Sequence, residues 1–142
     1  MNKRIGLIVY DDFQILDLAA LTVFEFANSM QQKIQYQFAS LSLDGGPVRS
    51  STGVVIETQA IGFGSYDTLI IAGALLIPKA MPALEAKLKE AASDTKRIAS
   101  ICSGAFVLAN SGLLDGKRAT THWAWGRDLQ QQHPAVLVEE DK

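Results

Sequence analysis

The sequence has little of what several large classes of protein require. Its 142 residues include one cysteine, so no intrachain disulfide can form, and a lone thiol is most at home in a reducing compartment. One cysteine and two histidines also fall short of the four closely spaced ligands of a structural zinc site, so we expect no metal and no other cofactor. The net charge of −2 lacks the excess of Lys and Arg that binds phosphate backbones, which argues against nucleic-acid binding by this chain itself.

Long apolar runs are missing as well. No stretch approaches the roughly 18 residues of a membrane span, and the first apolar run, Ile5 to Tyr10, is too short for the core of a secretory signal peptide. We therefore expect a cytoplasmic protein with no membrane partner. The remaining composition, 48% hydrophobic and 20% charged, is ordinary for a chain that can bury one substantial core.

Short apolar runs alternate with helix-length patterns, which predicts an α/β fold with a mostly parallel sheet covered on both faces. Long strands are predicted at 4–9, 36–43, 67–72 and 97–101, and shorter ones at 48–51, 54–58 and 119–121. Helices are predicted at 16–30, 81–91, 103–110 and 123–132. The segment 16–30 is almost continuously apolar, so as a helix we expect it to be largely buried.

The segment from Ile98 to Ala105 has the form of a nucleophile elbow, in which a strand turns abruptly into a helix and presents one side chain at the turn. Such a turn needs small residues two positions before and after it, and Ser100 and Gly104 occupy those places. Cys102 would then face the N-terminal end of the next helix, which favours a reactive thiolate. The alternative is a buried cysteine that acts as a small hydrophobe.

Four further residues are candidates for the same site. Gly73 and Ala74 follow a buried strand, and their N–H groups could form an oxyanion hole, although a glycine that simply ends the strand is the preferred explanation on the residues alone. His122 follows another short strand, either as a base for the thiol or as a structural residue. Asp17 lies in an apolar stretch and needs a hydrogen-bonding partner. The alternatives are the terminus of its own helix, Cys102 and a bound ligand.

Longer motifs extend these features over nearly all of the chain. They are ILDL at 15–18, VFE at 23–25, LDGGPVRSSTG at 43–53, DTLIIAG at 67–73, ICSGAFVLA at 101–109 and GLLDGKRATTHW at 112–123. Together they resemble the DJ-1/PfpI superfamily of class I glutamine amidotransferase-like domains. The resemblance implies a flavodoxin-like three-layer sandwich with the nucleophile elbow at Cys102.

The resemblance also implies roles for single residues. The family nucleophile corresponds to Cys102, the acidic residue that hydrogen-bonds it to Asp17, the histidine to His122, and the oxyanion position to Gly73 and Ala74. The usual Gly-Gly pair is Gly-Ala here, which costs little when the donor is a backbone N–H. Ser103, a candidate ligand-binding residue beside this position, stands where protease-like members carry His, and this argues against peptidase activity.

Within the superfamily, the turn at 44–51 and the segment 120–123 most resemble the N-terminal domain of AraC-type transcriptional regulators related to GlxA. This implies a ligand-sensing and dimerisation domain with a small-molecule pocket at Cys102. DNA contact would belong to a C-terminal helix-turn-helix module that is not in this chain. Family domains also continue with a strand and a helix beyond Lys142, so we expect an uncovered sheet edge that favours a homodimer.

Two other functions stay open at this point. Isocyanide hydratases share Asp17, Cys102 and the Thr-Thr-His-Trp segment, so a cysteine enzyme is the main alternative. In that enzyme Cys102 would attack an electrophilic carbon while Asp17 manages the proton. The third hypothesis is a pseudoenzyme that keeps the fold only as an interaction module.

Overall fold

A computed structural model of the chain describes residues 2–33, 35–62 and 64–140. The strands of its main sheet are β1 (Lys3–Ile8), β2 (Tyr36–Ser42), β3 (Gly46–Arg49), β4 (Val55–Ala60), β5 (Thr68–Ile71) and β6 (Arg97–Ser100). In space they lie in the order β3-β4-β2-β1-β5-β6. Only β3 runs antiparallel to its neighbour among these six strands, which confirms the predicted mostly parallel sheet.

Helices connect most of the strands. They are α1 (Ala19–Ser29), α2 (Pro82–Ala92), α3 (Gly104–Asn110) and α4 (Gly126–Gln132), and short 3₁₀ turns cover Ile15–Leu18 and Trp123–Trp125. The helices predicted at 16–30 and 123–132 therefore each divide into a 3₁₀ turn followed by an α-helix. No described helix has the length and apolarity needed to cross a membrane.

A second sheet of two short parallel strands lies near the end of the chain. It pairs β7 (Arg118–Ala119) with β8 (Leu137–Val138). The sequence predicted a strand close to β7 but none at β8, because three apolar residues at 136–138 are too few to show an alternating pattern.

The side chains of β1 alternate between the two faces of the main sheet, as the pleat of a strand requires. Ile8 lies in an apolar cluster with Leu88 of α2 and Val107 of α3. Leu7 lies in a different cluster, against which Leu21 of α1 packs. The sheet therefore carries α1 on one face and α2 and α3 on the other, which is the expected three-layer sandwich.

The prediction that the helix at 16–30 is largely buried was wrong. No residue of α1 is fully buried, and a stripe of large apolar side chains faces solvent. We call it the α1 stripe, and its members are Leu16, Val23, Phe26 and Met30, exposed by 75%, 64%, 64% and 83%. Apolar composition does not reveal what covers a helix, and in this structure only the sheet-facing side of α1 is covered.

Candidate functional site

Cys102 occupies the turn between β6 and α3, and its backbone is strained. Its φ of 52° lies in the left-handed region that residues other than glycine rarely adopt. Two residues later, a Cβ on Gly104 would lie 2.5 Å from the carbonyl oxygen of Ile71, so only glycine fits. The elbow predicted from the sequence is present. The Cys102 side chain is exposed, which rules out the alternative of a buried hydrophobe.

Asp17 reaches the end of β5 from the 3₁₀ turn before α1. Its carboxylate oxygen Oδ2 accepts a 2.6 Å hydrogen bond from the backbone N–H of Gly73. Gly73 borders the elbow, since a Cβ on it would lie 3.1 Å from the Cβ of Cys102. Asp17 does not cap its own helix. It holds the backbone next to the thiol, and its direct contact with Cys102 stays a prediction.

Three groups that become negatively charged on ionisation, Asp17, Tyr10 and Cys102, lie near one another at this edge of the sheet. Burial raises the pKa of the Asp17 carboxyl, and the hydrogen bond from Gly73 partly opposes that rise. Burial also raises the pKa of Tyr10, and the negative charges of Asp17 and Cys102 raise it further. The Tyr10 hydroxyl stays protonated and donates to the carbonyl oxygen of Ala72 at 2.7 Å. Negative charge at Asp17 and Cys102 therefore disfavours ionisation of Tyr10.

The two N–H groups predicted to form an oxyanion hole already have acceptors. Gly73 donates to Asp17, as described, and Ala74 donates to the hydroxyl oxygen of Ser103 at 2.9 Å. The Ser103 hydroxyl in turn donates to the carbonyl oxygen of Ala74, also at 2.9 Å. An oxyanion can bind both N–H groups only if these side chains move away.

His122 serves the 3₁₀ turn that follows it. Its Nδ1 accepts a 3.1 Å hydrogen bond from the N–H of Ala124, and its ring centroid lies 5.3 Å from that of Trp123. The neighbouring Thr121 contacts the elbow, because its hydroxyl donates to the carbonyl oxygen of Cys102 at 3.0 Å. In the described part of the chain no hydrogen bond joins His122 to the thiol, so its role as a base stays a prediction.

A groove of about 830 Å³ opens beside this site. Tyr10 and Ala74 line it, whereas Cys102, Asp17 and His122 do not, so a pocket centred on the thiol stays a prediction. Within 2–33, 35–62 and 64–140, no group of three or more His, Cys, Asp or Glu side chains is placed to hold a metal ion.

Substitution of Asp17 separates its hydrogen bond from its charge. Asp17→Asn keeps an oxygen for the Gly73 N–H, whereas Asp17→Ala leaves that buried donor unpaired at a cost of about 1–3 kcal/mol. We therefore expect Asp17→Ala to lower the free energy of unfolding at pH 7. We expect Asp17→Asn to match or exceed the wild type, because it also removes a charge that burial disfavours. Urea unfolding of the three proteins measures the difference.

The same variants predict a pH dependence. Because the pKa of Asp17 is raised on folding, the native state holds this proton more tightly than the unfolded state does. The stabilisation is complete below the unfolded pKa and is lost as pH rises through the folded pKa. Asp17→Asn has no such proton and should lack this decline as the pH rises above about 4. If Asp17→Asn declines as steeply as the wild type, another group is responsible.

Residues 3–141 match the model of the DJ-1/PfpI family. A Streptomyces lividans protein from the cpoL 5′ region is 40% identical over an alignment of 140 positions, which covers 95% of this chain and 92% of that protein. The HTH-type transcriptional regulator GbdR of Pseudomonas aeruginosa is 30% identical over an alignment of 140 positions, which covers 96% of this chain but only 38% of the regulator. The isonitrile hydratase of Pseudomonas putida is 28% identical over an alignment of 149 positions, which covers 99% of this chain and 60% of the enzyme.

A solved structure agrees with these relatives. The AraC family transcriptional regulator from Pseudomonas putida has a TM-score of 0.83 at 25% identity, over 96% of this chain and 76% of that chain. The layered fold and the strained elbow at Cys102 are thus found together with a family match over nearly the whole sequence. From these findings we conclude that this chain belongs to the DJ-1/PfpI family.

Proposed function

We propose that this chain is a ligand-sensing and dimerisation domain of the kind found in AraC-type transcriptional regulators. The observation that carries the proposal is the hydrogen bonding around the elbow. The N–H groups of Gly73 and Ala74 already donate to side-chain acceptors, and the Nδ1 of His122 already accepts a hydrogen bond from a backbone N–H of the following turn. In the described structure the thiol of Cys102 is therefore exposed without a hydrogen-bonded base or a free pair of oxyanion donors. Such a site favours binding over turnover.

The relatives support the same proposal. GbdR is an HTH-type transcriptional regulator of which this chain matches 38%, so the shared part is one portion of a larger protein. In our proposal a separate helix-turn-helix module contacts DNA, which fits the net charge of −2 of this chain. The domain would then act in the cytoplasm and bind its small-molecule ligand near Cys102.

The α1 stripe supports a homodimer. Val23, Phe26 and Met30 follow one another at intervals of three and four residues, so they lie along one side of the helix. Leu16 is exposed in the 3₁₀ turn that precedes it. Exposed apolar patches of this kind mark interaction surfaces. A second copy of the chain presents the same stripe, and two such stripes pack against each other about a two-fold axis. Because Leu16 of the stripe directly precedes Asp17, the dimer contact and the thiol site are neighbours.

The second candidate function is hydration of an isocyanide, which the isonitrile hydratase relative favours. The thiolate of Cys102 would add to the isocyanide carbon, and the same carbon would take up a proton to give a thioimidate. Water would then add to that carbon and displace the sulfur, so that isocyanide and water give an N-substituted formamide and the free thiol. The negative charge that develops would need the N–H groups of Gly73 and Ala74, which must first leave Asp17 and Ser103.

A turnover assay distinguishes the two functions. The protein is incubated with cyclohexyl isocyanide, and N-cyclohexylformamide is measured by mass spectrometry, with Cys102→Ser as the matched control. We expect no more product from the wild type than from Cys102→Ser. Iodoacetamide labelling of the native wild type confirms in parallel that the thiol is accessible. Product that forms with the wild type and disappears in Cys102→Ser would overturn the sensing proposal and establish the enzyme.

A further inference from the structure

The groove beside the thiol site has the volume and position of a ligand site. Its volume of about 830 Å³ lies within the usual range of small-molecule pockets. Most of its lining comes from the segments 9–12, 42–45, 74–79 and 81–84. The first three follow β1, β2 and β5, so the groove lies at the carboxyl ends of parallel strands, where ligands of open α/β sheets bind.

The charges that line the groove are not neutralised by the protein. Exposed carboxylates of Asp11, Asp12 and Asp44 line it together with one cation, Lys79, which leaves a net charge of −2. Across the described ranges, none of these four side chains forms a salt bridge or hydrogen bond. Their field is therefore available to a bound cation, and it repels an anion.

Apolar side chains form much of the remaining lining. Leu75 and Leu76 both line the groove and are 67% and 65% exposed. Ile77, Pro78 and Met81 extend this apolar surface. A ligand with an apolar body would remove these leucines from water and gain the free energy of that burial.

We propose that the groove binds a small organic cation, an ammonium group on a short apolar body. The ammonium group interacts with the three carboxylates, and the body covers Leu75 and Leu76. Ala74 belongs both to the groove lining and to the hydrogen bonds at the elbow, so a ligand here would contact the backbone that Ser103 holds. The inference deepens the proposed sensing role and rests on it for its biological meaning, whereas the binding itself is measured separately.

Three probes of matched size test the charge requirement: pentylammonium, pentan-1-ol and pentanoate. Each is titrated into the ¹⁵N-labelled protein at pH 7, and the amide shifts of the groove segments give the dissociation constant. We expect pentylammonium to bind about tenfold more tightly than pentan-1-ol at low salt, and pentanoate not to bind. About 0.5 M NaCl should remove most of the advantage of the cation.

Variants locate the binding site. The double variant Asp12→Asn/Asp44→Asn should lower the affinity for pentylammonium to that for pentan-1-ol, whose own affinity should not change. Asp115→Asn, an exposed acid outside the groove lining, is the matched control and should bind as the wild type does. The amide spectra show directly whether each variant is folded.

Several results would overturn the proposal. They are equal affinities for pentylammonium and pentan-1-ol, an unchanged affinity in the double variant, shifts confined to other parts of the protein, and no binding of any probe. None of them bears on isocyanide turnover or on dimerisation. Failure of the sensing proposal and failure of the cation proposal are therefore distinguishable.

Discussion

Replacement of Gly104 by alanine is expected to lower the free energy of unfolding by about 3 kcal/mol. The added Cβ would lie 2.5 Å from the carbonyl oxygen of Ile71 and 2.8 Å from that of Ala72. These atoms belong to the end of β5 and the backbone that follows it, and α3 is buried along almost its whole length, so neither side can yield. Helix propensity alone predicts the opposite sign, a gain of about 1 kcal/mol.

Gly112, just beyond the other end of α3, provides the matched control. It has a φ of +83°, and nothing lies within 4 Å of the position of its Cβ. Gly112→Ala therefore costs only the strain of a left-handed alanine, about 1–2 kcal/mol. Thermal unfolding compares the two, and Gly104→Ala should have the lower Tm. A Gly104→Ala protein as stable as the wild type would show that the elbow is not packed as described.

Phe26→Asp is expected to dissociate the proposed dimer. Phe26 is 64% exposed at the middle of the α1 stripe, where a second copy would bury it. Two-fold symmetry introduces the change twice, so a loss of about 1.4 kcal/mol at each copy raises the dimer Kd roughly a hundredfold. Like charges facing each other across the interface add to this loss.

Sedimentation equilibrium measures the effect, with Val54→Asp as the control. Val54 is also an exposed apolar residue, at 50%, but it lies between β3 and β4 and outside the α1 stripe. Val54→Asp should leave the dimer Kd unchanged. Equal weakening by both variants would place the interface elsewhere, and a monomeric wild type at all concentrations would remove the dimer from the proposal.

The main sheet could be predicted from the sequence because its long strands are short, mainly apolar or alternating segments bounded by turn residues. The predicted strands at 4–9, 36–43, 67–72 and 97–101 each begin and end within one residue of the observed strands. The burial of α1 could not be predicted in the same way. Hydrophobic side chains indicate that a surface favours burial, but they do not show whether the chain itself supplies the neighbour.

The part of the functional site that consists of consecutive residues could be predicted from the sequence. The elbow is a pattern of consecutive residues, and Cys102 and Gly104 lie where that pattern puts them. The hydrogen bonds from Gly73 to Asp17 and from Ala74 to Ser103 join residues 56 and 29 positions apart, which no local pattern reports.

The sequence reasoning did not single out Tyr10 or Thr121 as parts of the site. Tyr10 lies just beyond β1, where the carboxyl end of a central strand marks the site edge of the sheet. Thr121 directly precedes His122, within the segment already singled out for that histidine. Position in the chain was thus the only signal for either residue, and it did not identify their hydrogen-bond partners.

A domain that senses a ligand near Cys102 and dimerises through the α1 stripe must couple these two neighbouring places. The direct test is the dimer Kd of the wild type before and after iodoacetamide labelling of Cys102, with identically treated Cys102→Ser as the control. The added group would press on Gly73 and Asp17, next to Leu16 of the α1 stripe, and we predict a dimer weakened about tenfold. A Kd that labelling leaves unchanged, or that shifts equally in Cys102→Ser, would contradict this coupling.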